Sequence, residues 1–134
     1  MSQENVEVVK AAYAAFARGG LDRLMEYFTD DVEYRAVVGA PDDRGPIHGK
    51  AALRAWYQDW IDMFDEFTME LVEVIEADDG LVVAVERFGG RARRSLIQTD
   101  QVIGDVFLIR NGKIARGREY TTREQALEAA GLRE

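Results

Sequence analysis

Asn111-Gly112 constrains this chain more than any other dipeptide in it. It separates two stretches, Leu96–Arg110 and Lys113–Tyr120, that read as long strands by their β-branched and apolar content. A two-residue Asn-Gly connection needs positive φ at both central positions, which these residue types tolerate, so it predicts a tight antiparallel hairpin. The arms carry two carboxylates, Asp105 and Glu119, that make the hairpin the first place to look for chemistry.

The chain before the hairpin changes period once. Ser2 is placed to cap a helix on which Val6, Val9, Tyr13 and Phe16 share one face. Gly19-Gly20 stops it, and a shorter helix follows with Leu21, Leu24, Met25 and Phe28 inward. Val32–Val38 reads as a short strand, and Gly39–Gly49, with both prolines, as a loop. Lys50–Phe64 is the strongest helix, with Leu53, Trp56, Tyr57, Trp60, Ile61 and Phe64 in a wide stripe. After Phe67 the pattern turns to period two: Thr68–Ala77, a turn at 78–80, Leu81–Phe88, then the hairpin. Thr122 caps a last short helix, Arg123–Ala130.

Helices gathered ahead of a run of antiparallel strands define an α+β chain. The sheet must curl over the aromatic stripe of the third helix. The expected architecture is a curled antiparallel sheet forming a cone, closed by three N-terminal helices, with a short C-terminal helix and a cavity inside. At 134 residues the chain fits one domain, 1–134. The strands at 81–88 and 102–109 are apolar on both faces: Leu81, Val83 and Val85 oppose Val82, Ala84 and Phe88. Ile103, Phe107 and Ile109 likewise oppose Val102, Val106 and Leu108. An antiparallel sheet with one wet face should alternate, so a homodimer packed through the outer face of the sheet is expected.

Composition removes whole classes of function. A net charge of −8 disfavours nucleic acid and anionic membrane as partners, and Arg91, Arg93 and Arg94 read as a solvated rim. With no cysteine and one histidine, neither a disulfide, a thiol nucleophile nor a conventional transition-metal cluster is expected. The serines, Ser2 and Ser95, are not in a nucleophile setting, and Gly49-Lys50 lacks the rest of a P-loop. No secretory signal or membrane span is visible, so a soluble, cytoplasmic protein is expected. What remains is acid–base work by carboxylates, tyrosine, arginine or His48, with no cofactor.

Three segments together resemble the SnoaL-like branch of the nuclear transport factor 2-like superfamily. They are A-A-Y-A-A-F-A-R-G-G-L-D-R-L-M-E-Y-F-T-D-D-V-E-Y at 11–34, H-G-K-A-A-L-R-A-W-Y at 48–57 and D-V-F-L-I-R-N-G-K-I at 105–114. The resemblance implies the cone-shaped fold. It leaves function open, because the family holds isomerases, cyclases, hydrolases, dehydratases and binding modules, and fold alone does not choose among them.

Two subfamilies bear on the acids. In ketosteroid isomerase-like members, an aspartic acid that helps hold the oxyanion stands where Asp105 stands, and SnoaL-type cyclases place an acid/base aspartate about there. The isomerase base would fall at Ala36, so that mechanism lacks its base here. Limonene-type epoxide hydrolases resemble V-F-L-I-R-N-G-K-I-A-R-G-R-E-Y at 106–120 and E-R-F-G at 86–89. That likeness implies Arg87 as the bridging arginine, Glu119 as the water-activating acid and Tyr34 as the water-holding tyrosine. Gly89 replaces the acid that protonates the epoxide, and Ala36 replaces the asparagine.

Strand parity puts Asp105 in the apolar row of Ile103, Phe107 and Ile109, where burial should raise its pKa and suit it to donate a proton. Arg87, Asp105 and Glu119 come from three strands, and inward placement would give a base, an acid and a cation holding them apart. A structural ion-pair network filling the cavity is the competing reading. Tyr13, Trp56, Tyr57 and Phe107 are candidate pocket walls, with His48 at the rim; Trp60 and Phe16 read as core. Three functions stay open: a cofactor-independent hydrolase, isomerase or cyclase acting on a small, mostly apolar organic molecule, a dimeric module that binds such a molecule without turnover, or a scaffold that only dimerises, its pocket filled by its own side chains.

Overall fold

A computed structural model describes residues 2–41 and 43–132; the cap expected from the Ser2 side chain lies outside what it describes. The two N-terminal helices run together as α1 (Ser2–Met25), kinked at Gly20, whose φ of 74° no right-handed helix contains. Val6, Val9, Ala12 and Tyr13 are buried before the kink, and Leu21, Leu24 and Met25 after it. The second segment stops three residues short of Phe28, which opens β1 (Phe28–Arg35) instead. The Asp-rich, β-branched run from Thr29 to Val32 favours the extended backbone. The strand ends at Arg35 rather than Val38, because Val37 turns to φ 45°.

A two-residue strand, β2 (Ile47–His48), pairs back onto β1 and leads through Gly49 into α2 (Lys50–Asp62). Then come β3 (Thr68–Glu76), β4 (Leu81–Arg91), β5 (Gln98–Arg110), β6 (Lys113–Tyr120) and α3 (Arg123–Ala129). The hairpin is as expected: Arg110 faces Lys113, and Asn111 and Gly112 take φ 53° and 78°.

The six strands lie in the order β2-β1-β6-β5-β4-β3 in one curled, unclosed sheet. Strands β3 to β6 are antiparallel, whereas β1 joins β6 in parallel. This parallel seam positions the site, because it brings Tyr34 opposite Gly117, two residues before Glu119. The inner face carries the main core, including Val82, Ala84 and Phe88 of β4 and Ile103, Phe107 and Ile109 of β5, under α1 and α2.

The chain itself covers part of the outer face. Helix α3 folds back over it, and Val83, Val106, Ala126 and Leu127 form a second buried cluster. Gly104 permits the close approach: a Cβ there would lie 2.6 Å from Ala126 Cβ and 3.1 Å from the Thr122 carbonyl oxygen. Thr122 caps α3 by accepting from the Gln125 amide at 3.1 Å. Among the described residues, no helix is long and apolar enough to cross a membrane.

Candidate functional site

Alternation along three neighbouring strands delivers three acids to the inner face. Asp105 stands opposite Glu119 on β6 and Ala84 on β4. Glu86, two residues past Ala84, faces Ile103 and is therefore a diagonal neighbour of Asp105. All three side chains are buried, Asp105 to 1% exposure. Among the described residues, no lysine, arginine or histidine is buried with them.

Tyrosines supply the hydrogen bonds. The Tyr34 hydroxyl donates to Asp105 Oδ1 at 3.0 Å and lies 3.5 Å from Glu119 Oε2. The Tyr13 hydroxyl donates to Glu86 Oε1 at 2.5 Å. Asp105 and Glu86 are themselves hydrogen-bonded, and the Val37 amide donates to Glu119 Oε1 at 3.3 Å. The result is a chain of contacts, Tyr13–Glu86–Asp105–Tyr34–Glu119, running across the interior.

Burial sets the protonation of this chain. Desolvation pushes Glu86 up to about 7, against hydrogen bonds from Tyr13 and Asp105 that favour its charged form. Asp105 is raised well above the carboxylate range, by desolvation first and then by the like charges of Glu86 and Glu119. Tyr13, Tyr34 and Tyr57 are all pushed above their ordinary value by burial and by the acids around them, so their hydroxyls stay protonated. An acid held near neutrality beside hydroxyls that never ionise is equipped to give and take protons at pH 7.

The space beside the acids is small. A void of about 20 Å³ is lined by Tyr34, Trp56, Tyr57, Trp60, Phe67, Met69, Glu86, Phe88 and Glu119. It has room for about one water molecule. A groove of about 420 Å³ opens next to it, bordered by Ala36, Val37, Arg44, Gly45, Pro46, Ile47, Asp59 and Met63. Trp56, Trp60 and Glu119 line both spaces. The Trp56 ring packs 5.2 Å from that of Tyr34 and 5.1 Å from that of Tyr57, centroid to centroid, and Trp60 packs 5.5 Å from Phe88.

Of the residues singled out from the sequence, Asp105, Glu119 and Tyr34 come together. Trp56 and Tyr57 line the void. Tyr13 is buried and reaches the site through Glu86 rather than through the void. Phe107 is buried behind it, against the Tyr34 side of Gly117.

Arg87 does not join them. It shares the outward parity of Val83 and Val85, is half exposed, and its Nε lies 3.3 Å from Asp100 Oδ1. The expected convergence of Arg87, Asp105 and Glu119 is corrected to Glu86, Asp105 and Glu119. An acid at position 89 is equally closed off, since a Cβ at Gly89 would fall 1.9 Å from the Thr99 carbonyl oxygen. His48 is exposed on β2, its backbone paired with Glu33, and lines neither the void nor the groove.

Sequence reasoning missed Glu86. The signal was present: Val82, Ala84 and Phe88 read as one face, and Glu86 falls between them. Trp60 was also more than core, because it borders both spaces. Among the described residues, no group of three or more acids or histidines is arranged to hold a metal ion.

A curled sheet around a buried acid cluster, roofed by two helices, defines a cone-shaped protein of the nuclear transport factor 2-like class. The chain belongs to the SnoaL-like family: the model of the SnoaL-like domain matches residues 9–117. An uncharacterised protein of Mycobacterium tuberculosis, Rv0034, is 32% identical over 126 residues, covering 93% of this chain and 94% of its own. Bal32a, from a soil-derived mobile gene cassette, superposes with a TM-score of 0.77 at 26% identity, over 96% of this chain and 97% of its own. A hypothetical protein from Catenulispora acidiphila with a ketosteroid isomerase-like fold, solved with trimethylamine, gives a TM-score of 0.71 at 19% identity, over 95% and 94% of the two chains.

Proposed function

We propose that this protein is a cofactor-independent acid–base catalyst acting on a small, mostly apolar organic molecule that enters along the Ile47–Met63 groove. The observation that carries this reading is the Tyr34 hydroxyl, held against Asp105 Oδ1 and within 3.5 Å of Glu119 Oε2 inside an apolar shell. Burying three acids with no buried cation among the described residues is costly, and a catalytic site is where such strain has a use. Glu119 is the proton acceptor at the groove, Tyr34 orients it, and Asp105 is the acid behind. Trp56 and Trp60 border both spaces, so their rings are what an incoming molecule displaces. Hydrolysis, isomerisation and cyclisation all fit this chemistry.

The second reading is a binding module without turnover. It is favoured by the void itself, about 20 Å³ and walled by the protein's own aromatic rings. A thermal-shift screen of small ketones, epoxides and phenols, followed by product analysis, separates the two. The catalytic reading expects stabilisation by at least one compound, a product formed from it, loss of both effects in Glu119→Gln, and loss of product in Asp105→Asn. Undiminished stabilisation in Glu119→Gln together with full turnover in Asp105→Asn removes these acids from the site.

A homodimer through the outer face belongs to the same proposal. Helix α3 covers Val83 and Val106, but Val72 and Val102 remain 53% and 43% exposed. Light scattering at micromolar concentration tests it, and a monodisperse monomer sinks it.

A further inference from the structure

We infer that Glu86 and Glu119 are the two carboxyl groups that meet the ligand, and that Asp105 is a positioning residue standing behind both. This inference rests on the acid–base reading above and changes which residues do the chemistry. Its basis is which acids border the void that a ligand enlarges by displacing the Trp56 and Trp60 rings. Glu86 and Glu119 line the void, whereas Asp105 does not. Asp105 lies on the middle strand between them, hydrogen-bonded to Glu86 and reached by the Tyr34 hydroxyl, which also neighbours Glu119.

The arrangement separates two jobs. Glu119 borders the groove as well as the void, so it meets an incoming molecule first. Glu86 lies deeper, held by the Tyr13 hydroxyl from α1. The titratable groups around Glu86 are Tyr13 of α1, Tyr34 of β1, Tyr57 of α2, Asp105 of β5 and Glu119 of β6; its chain neighbour Arg87 faces the outside. Among the described residues none of these inward groups is basic, and of the two acids at the void Glu86 is the one that gives its proton to an oxygen gaining charge.

In a turnover, Glu119 takes one proton from the substrate or from an attacking water, and Glu86 gives one to the oxygen that gains charge. Glu119 ends protonated and Glu86 ionised. The chain of contacts returns the proton: Glu119 to the Tyr34 oxygen, Tyr34 to Asp105, and Asp105 to Glu86. One proton crosses in total, and no oxidant, reductant or metal is needed.

Alkylation by 1,2-epoxybutane, a small apolar electrophile, tests the assignment by peptide mass mapping between pH 5 and 9. A Glu119 carboxylate oxygen bonds to an epoxide carbon, that carbon–oxygen bond of the ring breaks, and the freed oxygen takes the proton of Glu86, leaving a hydroxyalkyl ester on Glu119. The expected result is an ester on Glu119 that forms faster than on any surface carboxylate, at a rate that falls as pH rises through about 7, where Glu86 loses its proton.

Glu86→Gln should slow the reaction at least about tenfold, the low end for a general acid, and remove that pH limb. Tyr13→Phe and Asp105→Leu each delete a hydrogen bond that favours the ionised form of Glu86. Both should move the limb to higher pH and leave the ester on Glu119, a change that a purely structural role would not produce. Circular dichroism checks that each variant folds, and Tyr13→Phe carries the test if Glu86→Gln does not.

An ester on Glu119 that forms equally fast in Glu86→Gln, or an ester on Asp105, overturns this assignment and spares the pocket. Labelling confined to surface acids overturns the acid–base reading itself.

Discussion

The ring of Tyr34 occupies the space that a side chain at Gly117 would need. A Cβ there would sit 2.5 Å from Tyr34 Cδ1 and 2.7 Å from Tyr34 Cε1, with Phe107 Cε1 3.1 Å away. The ring crosses its neighbouring strand through this gap to bring its hydroxyl to Asp105. Gly117→Ala must therefore push the ring aside. The expected cost is about 1–3 kcal/mol, as for other overpacked cores, read as a lower urea midpoint. Tyr34→Phe should be milder and non-additive with it, since both act on one ring.

The buried acids make stability depend on pH in an unusual direction. A carboxyl whose folded pKa is raised contributes stability that is fully present below its unfolded pKa and is lost as pH rises through the folded one. For Glu86 that window runs from about 4.5 to about 7, and Asp105 extends it upward. Urea stability should therefore fall between pH 5 and 8, by on the order of 3 kcal/mol for Glu86 alone. Glu86→Gln should flatten the curve. Asp43 acts the other way: Arg35 holds it well below the usual range, so its contribution is lost only in stronger acid. A wild-type curve that stays level from pH 5 to 8 would contradict the placement of these acids.

Asp43 pins the groove wall. Its carboxylate accepts from Arg35 Nε and Nη2 at 3.0 and 2.7 Å, and from the amides of Gly39 and Gly45 at 2.8 and 2.9 Å. Asp43→Asn keeps the size of the side chain but loses half of its acceptor capacity. Hydrogen exchange at Gly39 and Gly45 should accelerate, with little change in the urea midpoint.

Gly104 controls the outer layer as Gly117 controls the inner one. Gly104→Val places branched atoms where Ala126 and Thr122 already sit. Helix α3 should lift from the sheet, at a cost of about 1–3 kcal/mol. Faster amide exchange in 126–130 than in α2 would locate the damage.

Local chemistry made much of the fold legible. Asn111-Gly112 announced its turn, the aromatic stripe announced α2, and Gly19-Gly20 announced the break in α1. Alternation placed Asp105 inward because apolar neighbours two residues away on both sides left it no choice. The same rule applied to Val82, Ala84 and Phe88 puts Glu86 inward and Arg87 outward, but the likeness to an arginine-bearing motif drew the reading to Arg87 and Glu86 was missed. Tyr34 reaches the acids through the parallel pairing of β1 with β6, a contact between residues about eighty positions apart that leaves no local trace. Strand β2 is two residues long, too short for any periodicity. The volume of the void depends on how Trp56, Trp60 and Phe88 settle against one another, which is a property of packing and not of pattern.

The wall between groove and void has an optical consequence. The chain contains two tryptophans, and both stand in that wall, at Trp56 and Trp60. Its tryptophan fluorescence, excited selectively above the tyrosine absorption, therefore originates at this wall. Emission wavelength and acrylamide quenching report directly on whether that doorway is open, in the unmodified protein and without knowledge of what passes through it.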